Sequence, residues 1–255
     1  MPGSAGEAAF ARYAFPPNDL GHCGPPGADV LLAAGAGAAT VARLDLRERA
    51  AGFDGAWPYL RLLAATAGTD ELDAEVVSAY WLGGPLLDGV DADAFEDTVR
   101  RDFGGQPGVL DRLAAEPGGW ATGPNHAFHV FVVYPWVGLL GAGREVPVTV
   151  LESCRVRWGT VQSVEDGTAT VVGRPLTWSD GRLALGPETP EVARWSRDAH
   201  DFVSGLRPGD LVALHWDWVC DRLTPERLAE LEAVTRRQLA STNRWLAGRS
   251  AAAPG

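Results

Sequence analysis

The chain contains no lysine: all 22 of its Lys+Arg positions are arginine. Biased codons in a GC-rich genome account for this, and the consequence is chemical, since Schiff-base catalysis and a phosphate-loop lysine are both excluded. Cysteine is scarce, with Cys23, Cys154 and Cys220 set far apart. An odd number so dispersed is not a disulfide framework; it points to reduced thiols, used as soft metal ligands or as buried small hydrophobes. Long apolar runs are lacking. The longest, Ala127 to Gly141, is interrupted by His129 and Pro135 and is too short to cross a bilayer. With no basic leader segment either, neither a signal peptide nor a membrane span is expected. Positive charge is in deficit. A formal net charge of −11 argues against a nucleic-acid binder, which needs a basic face for the phosphates, and favours a dispersed cytoplasmic protein. HExxH and CxxC patterns, a nucleophile-elbow serine, a dinucleotide or phosphate glycine loop and a paired-carboxylate signature are all missing.

What is present divides the chain in two. Phe15-Pro16-Pro17-Asn18-Asp19 and Gly24-Pro25-Pro26-Gly27 read as turn or extended chemistry. From about 28 to 116 the pattern is helical. Leu60, Leu63 and Ala64 share a face, as do Val76, Val77 and Tyr80 with Trp81 beside them, and Asp91 to Phe103 is amphipathic through Phe95 and Val99. Glu116-Pro117-Gly118-Gly119 breaks that pattern. The Val/Phe/Tyr content of His129 to Tyr134 favours a strand within 126–140. After residue 146 short strands are expected at about 148–151, 155–164, 168–173 and 211–216, with a hairpin at Asp166-Gly167. Thr224-Pro225-Glu226 starts a helix whose stripe is Leu228, Leu231 and Val234. A boundary at Gly141–Glu145 then separates residues 1–145, mostly helical, from residues 146–248, mostly β with a terminal helix.

One motif series is more specific. Cys154 opens Cys-Arg-Val-Arg-Trp-Gly-Thr-Val, a Cys-x-x-x-x-Gly-x-Val pattern. The Glu165-Asp166-Gly167 turn follows, then Arg207-Pro208-Gly209-Asp210-Leu211-Val212-Ala213-Leu214-His215, then the helix from Thr224. In that order these pieces resemble the HypC/HupF hydrogenase-maturation chaperones over residues 147–245. The resemblance leaves the N-terminal part unexplained and implies a small OB-like antiparallel β-barrel with a C-terminal helix. With the helical pattern read before it, the expected fold is α+β, a mostly helical N-terminal domain followed by that barrel and helix. The resemblance also implies a non-enzymatic cytoplasmic chaperone of nickel–iron hydrogenase maturation. Cys154 would bind the iron of an Fe(CN)2CO unit, which a soft thiolate suits, and His215 would assist. A HypD-like scaffold protein or a hydrogenase large-subunit precursor would be the partner. Trp216-Asp217-Trp218 stands where the family has a Gly-Phe pair.

The resemblance further implies that Cys154 and His215 lie close together at one end of the barrel, with Cys154 partly accessible for exchange. In the family the cysteine follows the initiator methionine; here 153 residues precede it. A cysteine fixed inside a chain cannot thread into a partner, so a second donor is expected from the N-terminal part, either Cys23 or the pair His126 and His129. His22-Cys23 lies between Gly21 and Gly24, which allow close backbone approach. Histidines three apart share a helix face but oppose each other on a strand. The expected metal ligands are therefore Cys154, His215, Cys23, His126 and His129. The alternative is a metal-dependent enzyme with His126, His129, His215 and Asp217 between the domains; a third reading is a regulatory binding module. The ten tryptophans, Trp136, Trp158, Trp216 and Trp218 among them, read first as core residues.

Overall fold

The computed structural model describes residues 5–37, 43–114, 123–141 and 146–252. Helices come first: α1 (Ala5–Asp19), α2 (Asp29–Gly35), α3 (Arg43–Ala51), α4 (Trp57–Ala67), α5 (Ala74–Leu82), α6 (Ala92–Phe103) and α7 (Val109–Ala114). Two of them start on acidic caps. Asp73 Oδ1 accepts from Glu75 N, and Asp91 Oδ1 from Ala94 N, satisfying donors that a helix N-terminus leaves unpaired. Leu60, Leu63 and Ala64 of α4, Val76, Val77, Tyr80 and Trp81 of α5, and Phe95 and Val99 of α6 are buried, as their spacing predicts. The breaker at Glu116–Gly119 lies outside the described residues.

In α1 the outcome differs from the turn chemistry expected around Phe15, because the helix runs through Pro16 and Pro17 to Asp19. Burial decides the matter. Phe10, Tyr13, Ala14 and Phe15 are at most 1% exposed, and Phe15 meets Trp218 edge-on at 5.0 Å. Such apolar contacts outweigh a proline penalty of about 3 kcal/mol.

The strand expected within 126–140 is instead helical. α8 (His126–Phe128) continues into a π turn, His129–Val133, and a 3-10 turn covers Pro135–Leu139. Asn125 Oδ1 caps the start by accepting from Phe128 N. Phe128 to Val133 are all buried, so their β-branched and aromatic content reflects burial and carries no strand period. A second correction concerns 148–151. They belong to α9 (Val146–Cys154), with Pro147 in the first turn, where its missing N–H costs nothing. Cys154 thus ends a helix and does not open a strand.

The strands are β1 (Arg157–Glu165), β2 (Thr168–Gly173), β3 (Leu176–Ser179), β4 (Arg182–Leu185), β5 (Thr189–Arg194), β6 (Ser196–Arg197), β7 (His200–Asp201), β8 (Leu211–His215) and β9 (Trp218–Arg222). β1 and β2 form the expected hairpin, with Gly167 at φ 71°. β2 pairs with β5, β8 with both β9 and β1, and β5 meets β9 in the single parallel pairing. The order β1-β2-β5-β9-β8 therefore closes on itself. β3–β4 and β6–β7 are separate two-stranded hairpins, absent from the sequence expectations. α10 (Pro225–Ala252) starts where expected, with Thr224 Oγ1 accepting from Arg227 N.

The architecture is mixed α and β, and one apolar cluster runs through both parts. It joins Phe10, Leu63 and Val77 to Val171, Val212 and Trp218. Residues 142–145, where the boundary between 1–145 and 146–248 is expected, fall outside the described residues. A smaller cluster gathers Val130, Phe131, Leu151 and Cys154 under Leu239 and Leu246 of α10. No helix among the described residues is long and apolar enough to cross a membrane.

Candidate metal centre

His126, Cys154 and His215 come from three distant segments and bring one nitrogen or sulfur atom each to within 4.8 Å of one another. Each is placed by local structure. His126 is the first residue of α8, set there by the Asn125 cap. Cys154 is the last residue of α9. His215 ends β8, just before the tight turn Trp216-Asp217 that leads into β9. The two imidazole rings meet edge to face at 5.0 Å between centroids.

Hydrogen bonds fix which nitrogen of each ring carries the proton. A carbonyl only accepts, so His126 donates through Nε2 to Cys154 O at 2.7 Å, and His215 donates through Nδ1 to Tyr13 O at 2.7 Å. The lone pairs therefore sit on His126 Nδ1, 3.3 Å from the Tyr80 hydroxyl, and on His215 Nε2. His215 Nε2 is buried and has no hydrogen-bond partner among the described residues. An orphaned buried acceptor costs about 1–3 kcal/mol and calls for an explanation. A metal ligand whose other ring nitrogen donates to a backbone carbonyl has this arrangement.

Burial sets the protonation states. It pulls His126 down to about 4 and His215 well below the ordinary histidine value, so both rings are neutral donors at pH 7. The same burial pushes the Cys154 thiol well up, and a cation among these donors reverses that by favouring the thiolate. N and S ligands of one tetrahedral ion lie about 3.5 Å apart, so the three groups need to close by roughly an ångström. Two imidazoles and one thiolate suit a borderline or soft transition metal, such as iron, zinc, cobalt or copper, better than magnesium or calcium.

The donors open onto a cavity of about 360 Å³ walled by Tyr80, Trp81, Tyr134, Trp136 and Trp216. Trp136 and Trp216, expected as core residues, are thus cavity walls. Trp216 holds φ 54° at the first turn position, which a bulky residue adopts only when its surroundings enforce it. The enforcing contacts are identifiable. Its N donates to Ser153 O at 2.9 Å, its carbonyl accepts from Arg157 at 2.6 Å, and His22 stacks on its ring at 4.4 Å. Arg157 is buried and also donates to Glu152 O and Ser153 O, the last carbonyls of α9. One guanidinium therefore ties the helix end bearing Cys154 to the turn after His215.

The other expected ligands are placed differently. Cys23 lines the same cavity but lies outside the group of three, and burial pushes its thiol up to about 12. Asn18 Nδ2 holds its loop by donating to Cys23 O at 2.7 Å and Pro25 O at 2.8 Å. His129 also lines the cavity, with Nδ1 3.3 Å from the Tyr59 hydroxyl. Asp217, the carboxylate of the enzyme alternative, is exposed and paired with Arg194 at 3.2 Å, away from the donors. Cys154 is 6% exposed, not partly accessible as expected, because it sits under the α10 cluster. Tyr80 and Trp81, read from the sequence as a helix face, Tyr134, read as part of a strand, and Gly55 and Arg157 were not expected at this site. Only the Arg-x-Arg after Cys154 gave a local signal, two guanidinium groups at a helix end.

A family model described as "Family of unknown function (DUF6390)" matches residues 2–249, and the chain belongs to that family. No curated protein and no solved structure matches it.

Proposed function

We propose that this member of the DUF6390 family binds a transition-metal centre at His126, Cys154 and His215 and serves as an accessory protein of metalloenzyme maturation. The observation that carries the reading is the convergence of three buried N/S donors, one of them an orphaned imidazole nitrogen. Two further features support it. The closed five-stranded sheet, with its parallel β5–β9 pairing, supports the OB-like barrel that the resemblance to HypC/HupF proteins implies. The cavity is also far larger than the roughly 10–15 Å³ that one water-sized probe needs. A bare ion leaves it mostly empty; an iron carrying cyanide and carbonyl fits.

In this reading the Fe(CN)2CO-type iron is cargo. Cys154 supplies the thiolate, and the two neutral imidazoles complete the protein's share. The mostly apolar, aromatic wall disfavours water at the remaining positions. The partner that gives or takes the iron is a HypD-like scaffold or a hydrogenase large-subunit precursor, and the setting is the cytoplasm, where thiols stay reduced.

The test is metal analysis with infrared spectroscopy on protein purified anaerobically from a host with hydrogenase-maturation genes. Iron with cyanide and carbonyl bands, lost in Cys154→Ser and in His215→Ala, is the expected result. Zinc or manganese without those bands supports a metal-dependent enzyme at the same three residues. Protein free of any metal, after both apo loading and native purification, overturns the metal reading.

A further inference from the structure

A second cavity, of about 560 Å³, adjoins the first. The two share His22, Cys23, Gly55, His129 and Tyr134 as wall residues. Their characters differ. Asp54, Asp102 and Gln106 line the outer cavity and are exposed, whereas His126, Cys154 and His215 of the inner one are buried. A polar mouth, a shared neck and an apolar inner chamber thus succeed one another.

We infer that metal reaches the buried triad through this outer chamber and pauses at the neck on Cys23 and His129. The inference rests on the metal reading above. His129 is 3% exposed, and the one hydrogen-bond partner of its imidazole among the described residues is the Tyr59 hydroxyl, at Nδ1. A phenol both donates and accepts, so that pair can settle with the proton on Nδ1 and a lone pair on Nε2. Nε2 faces Gly55: a Cβ built on residue 55 stands 2.8 Å from it. A side chain at residue 55 would therefore crowd the one His129 nitrogen that can meet a metal, and Gly55 is the residue that leaves it uncovered. Gly55 is not among the glycines at positive φ, so a side chain there meets a steric limit and no backbone strain. Cys23 lines both cavities at the same neck, its loop fixed by Asn18.

The transfer balances as a ligand exchange. The metal–sulfur bond to Cys23 breaks as that to Cys154 forms. The proton leaving the Cys154 thiol returns to Cys23, and no electron moves. At the mouth Asp102 is paired with Arg101 at 2.7 Å, which leaves the exposed Asp54 to attract a metal cation. The neck holds the ion by one thiolate and one imidazole, and the triad takes it with the Cys154 thiolate and two imidazoles.

Cobalt(II) is the probe, since its thiolate charge-transfer absorption reports each sulfur ligand. Apo full-length protein is mixed anaerobically with cobalt in a stopped-flow instrument. The wild type is expected to fill in two phases. Gly55→Val should slow the second phase at least tenfold while reaching the wild-type final spectrum, and Cys23→Ser should abolish the first phase. Where Gly55→Val fails to fold, Gly55→Ala and Cys23→Ser carry the same comparison. Single-phase filling that neither substitution alters overturns the path and leaves the triad standing. No cobalt uptake by the wild type overturns both.

Discussion

At the scale of single residues, the candidate site is held in readiness by two backbone carbonyls, Cys154 O and Tyr13 O, each anchoring one imidazole. Cys154→Ser keeps the shape but places a hydroxyl in an apolar cluster, and its expected effect is loss of bound metal with a folding stability lowered by about 1–3 kcal/mol. Equilibrium urea unfolding of the metal-free proteins checks the second half. His129 yields a pH prediction for metal-free protein. Burial, and then its neighbour His126, pull His129 down to about 3 from an ordinary value near 6.5. Below pH 6.5 the unfolded chain takes up a proton that the folded one refuses. Stability therefore falls with acid, by up to about 1.4 kcal/mol per pH unit for this group, and the fall levels off near pH 3. His129→Phe should flatten the plot of unfolding free energy against pH between 6 and 4 by about that slope. An unchanged slope assigns the acid sensitivity to other groups.

At the scale of elements, the junction of α9 with the β8–β9 turn is decisive. Arg157→Met removes donors from Glu152 O, Ser153 O and Trp216 O and from the Glu191 carboxylate. Stranding these groups is expected to cost about 3 kcal/mol and to lower metal retention as well. Trp216→Gly should lower both readouts. Relief of the positive φ contributes about 1 kcal/mol to stability, but losing a large side chain packed on the second apolar cluster costs about 3 kcal/mol or more, and loss of the His22 stack and of a cavity wall weakens retention. Thermal melts and metal retention on a desalting column separate the two. The elements also show what the sequence could and could not disclose. The Asp166-Gly167 turn, the Gly209-Asp210 lead into β8 and the Thr224-Pro225 start of α10 were legible because each depends on its own few residues. His126–Val133 and Val146–Cys154 were not, since a short segment buried on all sides loses its period. The nearness of Cys154 to His215 followed from a resemblance, and the addition of His126 required the α8–α9 packing that no local pattern encodes.

At the scale of the whole molecule, helices and sheet depend on each other. α1 inserts Phe15 against Trp218, while Arg12 donates to Cys220 O and pairs with Asp221 at 3.1 Å. A fragment comprising residues 146–252 alone exposes the face of Trp218 that Phe15 covers and strands Cys220 O and Asp221 without Arg12. It is expected to lack a cooperative unfolding transition, and co-expression with residues 1–141 should restore one. A sharp, reversible melt of the fragment by itself would show instead that the β part is autonomous.

The hydrogen bond from His215 to Tyr13 O spans 202 positions, and its consequence lies in time. During synthesis at about 5–20 residues per second, Tyr13 and His126 emerge well before His215, and β8 has to pair with β1 before the imidazole can reach α1. Contacts of such separation form late, because closing so long a loop is entropically unfavourable until much of the core is in place. A chain whose β8 has not yet emerged therefore presents at most two of the three donors. Metal offered before then finds no finished nest, and loading follows the docking of the last strand.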